Sequence, residues 1–299
     1  MNFSIYHNAT KERQYKAATG LSLAEFEALY VLFKPFYEPK TPSPYLTETS
    51  VMLTDKREAL FFILHYFKAY PTLQNMGVYF GMSDASVHNY LALLNPCLKA
   101  ALAAQGVLAH RLFANQQAFD AAFAGEEELF IDVTEIPIER AINQEVQKEH
   151  FSGKKNFHTV KSLSIGTRCK RLVFLSALFP GHLHDFTLFK ELFGGFDFSG
   201  FRVHVDLGFL GIVKAVKTND VNIPHKKPPK KELSAQEKEK NIALSRLRVV
   251  IENAFAKLKS FFVLRIENRM RNKLRLDEAI ELCAGLANFK IIRLLNINS

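Results

Sequence analysis

Two short runs of β-forming residues in this chain each lead into an aspartate. One is Phe130-Ile131-Asp132-Val133 and the other Val203-His204-Val205-Asp206. A third acid, Glu252, sits in the helix-forming stretch Arg248-Val249-Val250-Ile251-Glu252-Asn253-Ala254-Phe255. A carboxylate at the end of a buried strand is costly unless it is paired or holds a cation. Any fold of this chain must therefore deliver these acids to a place where their charge is compensated. If they converge, two strand aspartates and one helix glutamate can hold a pair of divalent ions. Such ions activate water or a hydroxyl for in-line attack on a phosphate.

Charge placement points the same way. The net charge is +9. Residues 1–125 carry only +1 of it, while residues 226–275, with 15 basic and 5 acidic side chains, carry +10. So local a basic excess suits a polyanion, because each neutralised phosphate releases counterions. The alternative is a solvated loop and helix face. The three cysteines, Cys97, Cys169 and Cys283, are far apart and form no CxxC pair. This argues against a zinc ribbon or a disulfide framework and fits a reducing compartment. The start of the chain lacks a signal-peptide hydrophobic region. The apolar run Leu172–Phe179 is interrupted by Ser176 and is far too short to cross a bilayer. A cytoplasmic, nucleoid-associated protein with no membrane partner is expected. A length of 299 residues allows two domains, and 27 Phe imply a core built on phenylalanine.

The pattern along the chain predicts three regions. Residues 1–55 read as an arm and connector, with a helix over Ser22–Phe33 and a Pro-rich stretch from Pro35 to Pro44. Residues 56–125 read as all-α. Helices are expected over Lys56–Tyr70, stopped by Pro71, and over Thr72–Phe80. A third follows the turn Gly81-Met82-Ser83 and runs to about Leu94. Two helices across a short Gly-containing turn suit a helix-turn-helix, with Ser83, Ser86, His88 and Asn89 on the face that would meet DNA. A small packing domain is the other reading, since this face has no Arg or Lys and Asp84 would repel phosphate.

From Glu128 the period changes. Strands are expected over Leu129–Ile138, His158–Ile165, Leu172–Phe179 and Phe201–Val205, with a turn at Gly153–Asn156 and a helix over Asp185–Phe193. Residues 126–299 form the third region, an α/β domain. Three strands, a helix and a fourth strand follow the order of a ribonuclease H-like core. It is interrupted by a Lys/Pro-rich insert at 219–241 (Pro224, Lys226, Lys227, Pro228, Pro229, Lys230, Lys231, Lys238, Lys240). A last helix is expected over Leu276–Leu295.

On an expected helix over Arg246–Phe262, spacing at 100° per residue puts Arg248, Glu252 and Lys259 along one stripe beside the buried face. An ordinary i, i+4 surface pair is the alternative for Arg248 and Glu252. Asp185, in His182-Leu183-His184-Asp185, reads as a helix N-cap. The two histidines lack a further ligand at a spacing suited to zinc. Glu135 and Glu139 read as rim charges.

These residues resemble those of bacterial insertion-sequence DDE transposases of the Harbinger-related group. The resemblance is carried by Arg248, Glu252 and Lys259 in the spacing arginine, three residues, glutamate, six residues, lysine. Ile223-Pro224-His225-Lys226-Lys227-Pro228, Phe151-Ser152-Gly153-Lys154-Lys155, Gly181-His182-Leu183-His184-Asp185 and the helical block Phe61–Leu94 also carry it. The chain departs from the family pattern in having Val133 after the first aspartate and Ser245 before the arginine. The resemblance implies a metal-binding and catalytic triad of Asp132, Asp206 and Glu252 holding two Mg²⁺ or Mn²⁺ ions. Lys154, Lys155, Lys161, Arg248 and Lys259 would contact the DNA backbone. It implies double-stranded DNA as partner, both terminal inverted repeats and target, and at least a homodimer in the synaptic complex. A transposase-derived DNA-binding regulator and a structure-specific nuclease are the alternative readings.

Overall fold

The structure is a computed structural model that describes residues 4–41, 51–229 and 232–297. Pro42 and Pro44 of the Pro-rich stretch, and Lys230 and Lys231 of the insert, lie outside the described residues. In chain order the helices are α1 (Glu12–Thr19), α2 (Leu23–Phe33), α3 (Lys56–Ala69), α4 (Leu73–Phe80), α5 (Asp84–Ala104), α6 (Gln116–Ala122), α7 (Gln144–His150), α8 (Asp185–Phe193), α9 (Ile212–Ala215), α10 (Ala235–Leu258) and α11 (Lys273–Ile297). The strands are β1 (Glu128–Pro137), β2 (Phe151–Ser152), β3 (Phe157–Thr167), β4 (Leu172–Leu175), β5 (Phe179–Pro180), β6 (Arg202–His204) and β7 (Asp220–Asn222). Among the described residues no helix is long and apolar enough to cross a membrane.

The chain divides into two units, one of Met1–Leu108, Leu258–Ile266 and Glu278–Ser299, the other of Ala109–Lys257 and Glu267–Asp277. This partition by compactness differs from the three regions read along the sequence. The first unit is helical, and side chains cap its helices. Ser22 accepts a hydrogen bond from the Glu25 N–H at 3.1 Å while Glu25 accepts from the Ser22 N–H at 2.7 Å, a reciprocal cap. Thr72 and Ser83 cap α4 and α5, and Gly81 between them takes the left-handed conformation at φ +67°. α5 continues ten residues beyond Leu94 with Pro96 inside it. The segment read as an arm is core: Tyr15, Phe26, Phe33 and Tyr37 are buried, and Tyr15 and Phe26 meet edge-on at 5.0 Å.

The second unit is built on a mixed sheet of order β2-β3-β1-β6-β7, with β4 and β5 both pairing β3. β1 runs antiparallel to β3 and parallel to β6, and β6 is parallel to β7. Helices accompany the sheet, as an α/β nuclease-like domain requires. Its core is largely phenylalanine, with Phe119 against Phe198 at 4.8 Å and Phe174 against Phe193 at 4.9 Å. The expected strand Leu172–Phe179 is two strands. The Ser176 hydroxyl accepts the Leu163 N–H at 2.9 Å and donates to the Ala177 carbonyl at 2.8 Å, which diverts the chain between them.

α10 begins earlier than expected, well inside the Lys/Pro-rich insert. Ser234 and Glu237 cap its start reciprocally, with Ser234 Oγ accepting from the Glu237 N–H and Glu237 Oε2 from the Ser234 N–H. It also ends earlier, at Leu258, so Lys259 lies outside it. Its buried stripe is Leu244, Ile251, Ala254 and Leu258. The stripe meets the sheet where β3 has no side chain, since a Cβ on Gly166 would lie 2.9 Å from Ile251 Cδ1. Gly166 stands opposite Phe130 in β1, two residues before Asp132.

Candidate active site

Strand register brings the two aspartates together. β1 and β6 pair in parallel, with Phe130 opposite His204. Two residues further on each chain stand Asp132 and Asp206. Neighbouring strands lie about 4.8 Å apart, so these carboxylates are close neighbours at the end of the paired segment. The electrostatics agree. Burial first, and the charge of Asp206 second, push the Asp132 carboxyl up to about 6, while the Val133 N–H, Arg248 and Lys154 pull it back down. Asp132 Oδ1 accepts from the Val133 N–H at 2.8 Å. Asp206 Oδ1 accepts from the Gly208 N–H at 2.7 Å and so caps the turn that carries the chain away from β6. Gly208 is needed there, because a Cβ would stand 2.8 Å from Asp206 Oδ1 and 3.2 Å from Asp185 Oδ2.

The close approach of α10 at Gly166 brings its arginine–glutamate pair to Asp132. Arg248 Nη2 lies 3.6 Å from Asp132 Oδ2 and 3.9 Å from Glu252 Oε1, so the guanidinium bridges the two acids. Glu252 is the more open, with 56% of its side chain exposed against 14% for Asp132. As placed, no three His, Cys, Asp or Glu side chains among the described residues form a group that could hold a metal ion. The acids at hand are all hard oxygen donors, the set that suits Mg²⁺ or Mn²⁺. Asp206 raises the Asp132 pKa as one carboxylate beside another does, and a divalent ion held between them would relieve that repulsion.

Asp206 also borders a cleft of about 490 Å³, lined in part by Lys154, His182, His184, Asp185, Gly208 and Lys226. Asp185 does not cap its helix. His184 does, accepting the Phe186 N–H at 3.3 Å, and Asp185 instead pairs with Lys161 Nζ at 3.0 Å. Lys161 is buried. Its ammonium also donates to the Leu183 carbonyl at 2.9 Å and lies 3.9 Å from Glu135. This differs from the DNA-facing role expected of it. Glu135 is buried too, accepting from the Thr159 hydroxyl at 2.9 Å, so it is not a rim charge.

The other basic residues fall in both units. Lys154 and Lys155 are exposed on the turn before β3, where Asn156 takes φ +59°. Lys259, half-buried, belongs to the helical unit. Ser83, Ser86, His88 and Asn89 stand at the start of α5 in that unit. Ser83 Oγ accepts the Ser86 N–H at 3.1 Å and donates to Ser86 Oγ at 3.0 Å. Sequence reasoning missed Lys226 and Gly208 as parts of the cleft. The signals were the lysine after Pro224-His225 and the glycine two residues beyond a strand-ending aspartate.

The profile of the DDE superfamily endonucleases matches residues 131–288, just over half of the chain. The chain belongs to that family. As a DDE endonuclease it is a metal-dependent nuclease. The match opens at the residue before Asp132 and takes in Asp206, Arg248, Glu252 and Lys259. A probable transposase for insertion sequence element IS702, from Microchaete diplosiphon, is 29% identical over 291 residues, covering 93% of this chain and 95% of that protein. No solved structure matches.

Proposed function

We propose that this DDE endonuclease is a DNA transposase, cutting and joining strands at the ends of an insertion element. The observation that carries the reading is the meeting of Asp132 and Asp206 by register, with Arg248 and Glu252 brought beside them by α10. The second unit's sheet is then a ribonuclease H-like core, three antiparallel strands followed by parallel ones, with an aspartate on the first and just after the first parallel one. Asp132, Asp206 and Glu252 would hold two Mg²⁺ or Mn²⁺ ions. When bound, these ions supply an activated water or 3′-hydroxyl and stabilise the leaving oxygen. Arg248 neutralises the acids between substrates and, with Lys154, Lys155 and Lys259, binds phosphate. Asp185 and Lys161 hold the wall beside Asp206.

By function the chain divides into an arm and connector at 1–55, a helix-turn-helix region at 56–125 and a catalytic region at 126–299. In the second of these, α4 and α5 would present Ser83, Ser86, His88 and Asn89 to a terminal inverted repeat. Pairing two ends calls for at least a homodimer, acting in the cytoplasm on the nucleoid. In the test, Asp132→Asn, Asp206→Asn and Glu252→Gln are each assayed for metal-dependent nicking and for DNA binding. Each should lose nicking and keep binding. Wild-type nicking by a correctly folded variant removes that residue from the proposal. Cleavage without transfer of the 3′ end to target DNA would make the protein a nuclease instead.

A further inference from the structure

At the opposite end of β1 from Pro137 onward lies a second opening, of about 520 Å³, made entirely by the sheet-bearing unit. Its floor is apolar, with Val146, Val160, Phe179, Met270 and Leu276 among its residues. Its rim is basic: Arg140, Arg269, Arg271 and Lys273 line it, with Glu139 the only acid among its lining residues. The walls are set by backbone. Asn268 donates its N–H to the Pro137 carbonyl at 2.9 Å and accepts the Glu139 N–H at 3.2 Å, so residues around Asn268 extend the edge of β1. Val160 pairs Pro180 on the other side. His150 closes one corner. Burial and Lys273 lower its pKa, and it sits with Nδ1 3.2 Å from the Thr159 carbonyl and Nε2 2.9 Å from Lys273 Nζ.

We infer that this opening receives an unpaired nucleobase of the bound DNA, with the flanking phosphates on the basic rim. The inference rests on the DNA-processing role proposed above. A flat apolar ring with an anion on each side is the chemistry that an apolar floor inside a cationic rim complements. A second copy of this chain would bring the same positive rim against itself, and an acidic peptide would leave the floor unfilled. The position also fits. Ile138 is six residues along β1 from Asp132, roughly 20 Å at about 3.3 Å per residue, or on the order of six base-pair steps. The opening therefore lies within reach of a short duplex held at the acids, and a base leaves the stack most readily where it is unpaired.

The test uses the full-length protein and two fluorescent duplexes, one fully paired and one carrying a single bulged 2-aminopurine. The bulged duplex should bind about tenfold tighter, and its 2-aminopurine signal should change on binding. Val146→Trp and Met270→Trp, which fill the opening from different walls, should each abolish the preference and the signal change while binding paired duplex as wild type does. Two variants are used so that one poorly folded protein, detected by its melting point, does not decide the matter. Equal binding of both duplexes by wild type, or a preference that survives both fillings, overturns the inference and leaves the DNA-processing role standing. Failure to bind either duplex overturns both.

Discussion

Two clusters of carboxylates lie close together in the sheet-bearing unit, and they are treated differently. Around Lys161, two buried acids share one buried ammonium; it donates to Asp185, and Glu135 also accepts from the Thr159 hydroxyl. At Asp132 the partner on β3 is Ser164, the charge of Asp206 raises the pKa, and Arg248 stands 3.6 Å away with 30% of its side chain exposed. Closed networks of the first kind hold structure, because a buried charge is tolerated only when paired. A pair of acids with only a partly exposed guanidinium beside them is maintained at a cost in stability and marks a place where a cation or substrate is expected. The difference separates Asp185 from Asp206, although both stand at the start of helical turns.

The largest effect should come from breaking the closed network. Lys161→Met leaves Asp185 and Glu135 buried without their cation and should cost roughly 3–5 kcal/mol in urea unfolding. A cost below about 1 kcal/mol would show that the two clusters do not differ as described. Next is the open pair. Asp132 has a folded-state pKa of about 6, above its ordinary value of 3.8. The native state therefore binds the proton more tightly than the unfolded one. The acid destabilises the fold increasingly as pH rises from about 4 through 6, and its cost is absent below that window. Measured with chelator present, Asp132→Asn should remove this fall and be more stable than wild type at pH 7 by up to about 3 kcal/mol. Equal pH profiles would place Asp132 in a compensated site.

Gly208→Ala touches both clusters, since its Cβ would press on Asp206 and Asp185. It should cost about 1–2 kcal/mol by overpacking and reduce nicking by more than the lost stability explains. Unchanged nicking would separate the cleft wall from the acids. The smallest effect on the acids is expected at Lys154, which is exposed and is the last of the groups that lower the Asp132 pKa. Lys154→Ala should raise that titration by less than about half a unit, followed by carboxyl carbon resonance.

What could be read from the chain depended on how local the cause was. The turn at Gly81-Met82-Ser83 and the stop before Pro71 are local, and their elements form where the residues indicated; Asp132, read as ending a strand, lies inside β1 because that strand pairs on through Pro137. The start of α10 was masked by Lys and Pro in the insert, though Ser234 and Glu237 spell out its cap. The burial of Lys161 and Glu135 depends on β1 and β3 pairing with those two residues in register, which no local pattern reveals. The bridging of Asp132 and Glu252 by Arg248 depends on one missing Cβ at Gly166. The i, i+4 pair legible in the sequence is real, and its second partner came only from the tertiary fold.

The path of the chain between units has a consequence for synthesis. The helical unit needs α11, whose Ile280, Leu282, Cys283 and Leu286 are fully buried and whose Glu278, Glu281, Asn288 and Lys290 bind Asn95, Lys99, Val107 and Gly20. These partners are about 180 to 270 residues apart in sequence. During translation, at roughly 5–20 residues per second, the amino-terminal helices must wait several seconds or more for the segment that completes their core. The sheet, whose strands span residues 128–222, is made in the meantime. A truncated or stalled chain would thus carry the strand acids but an unfinished helical unit.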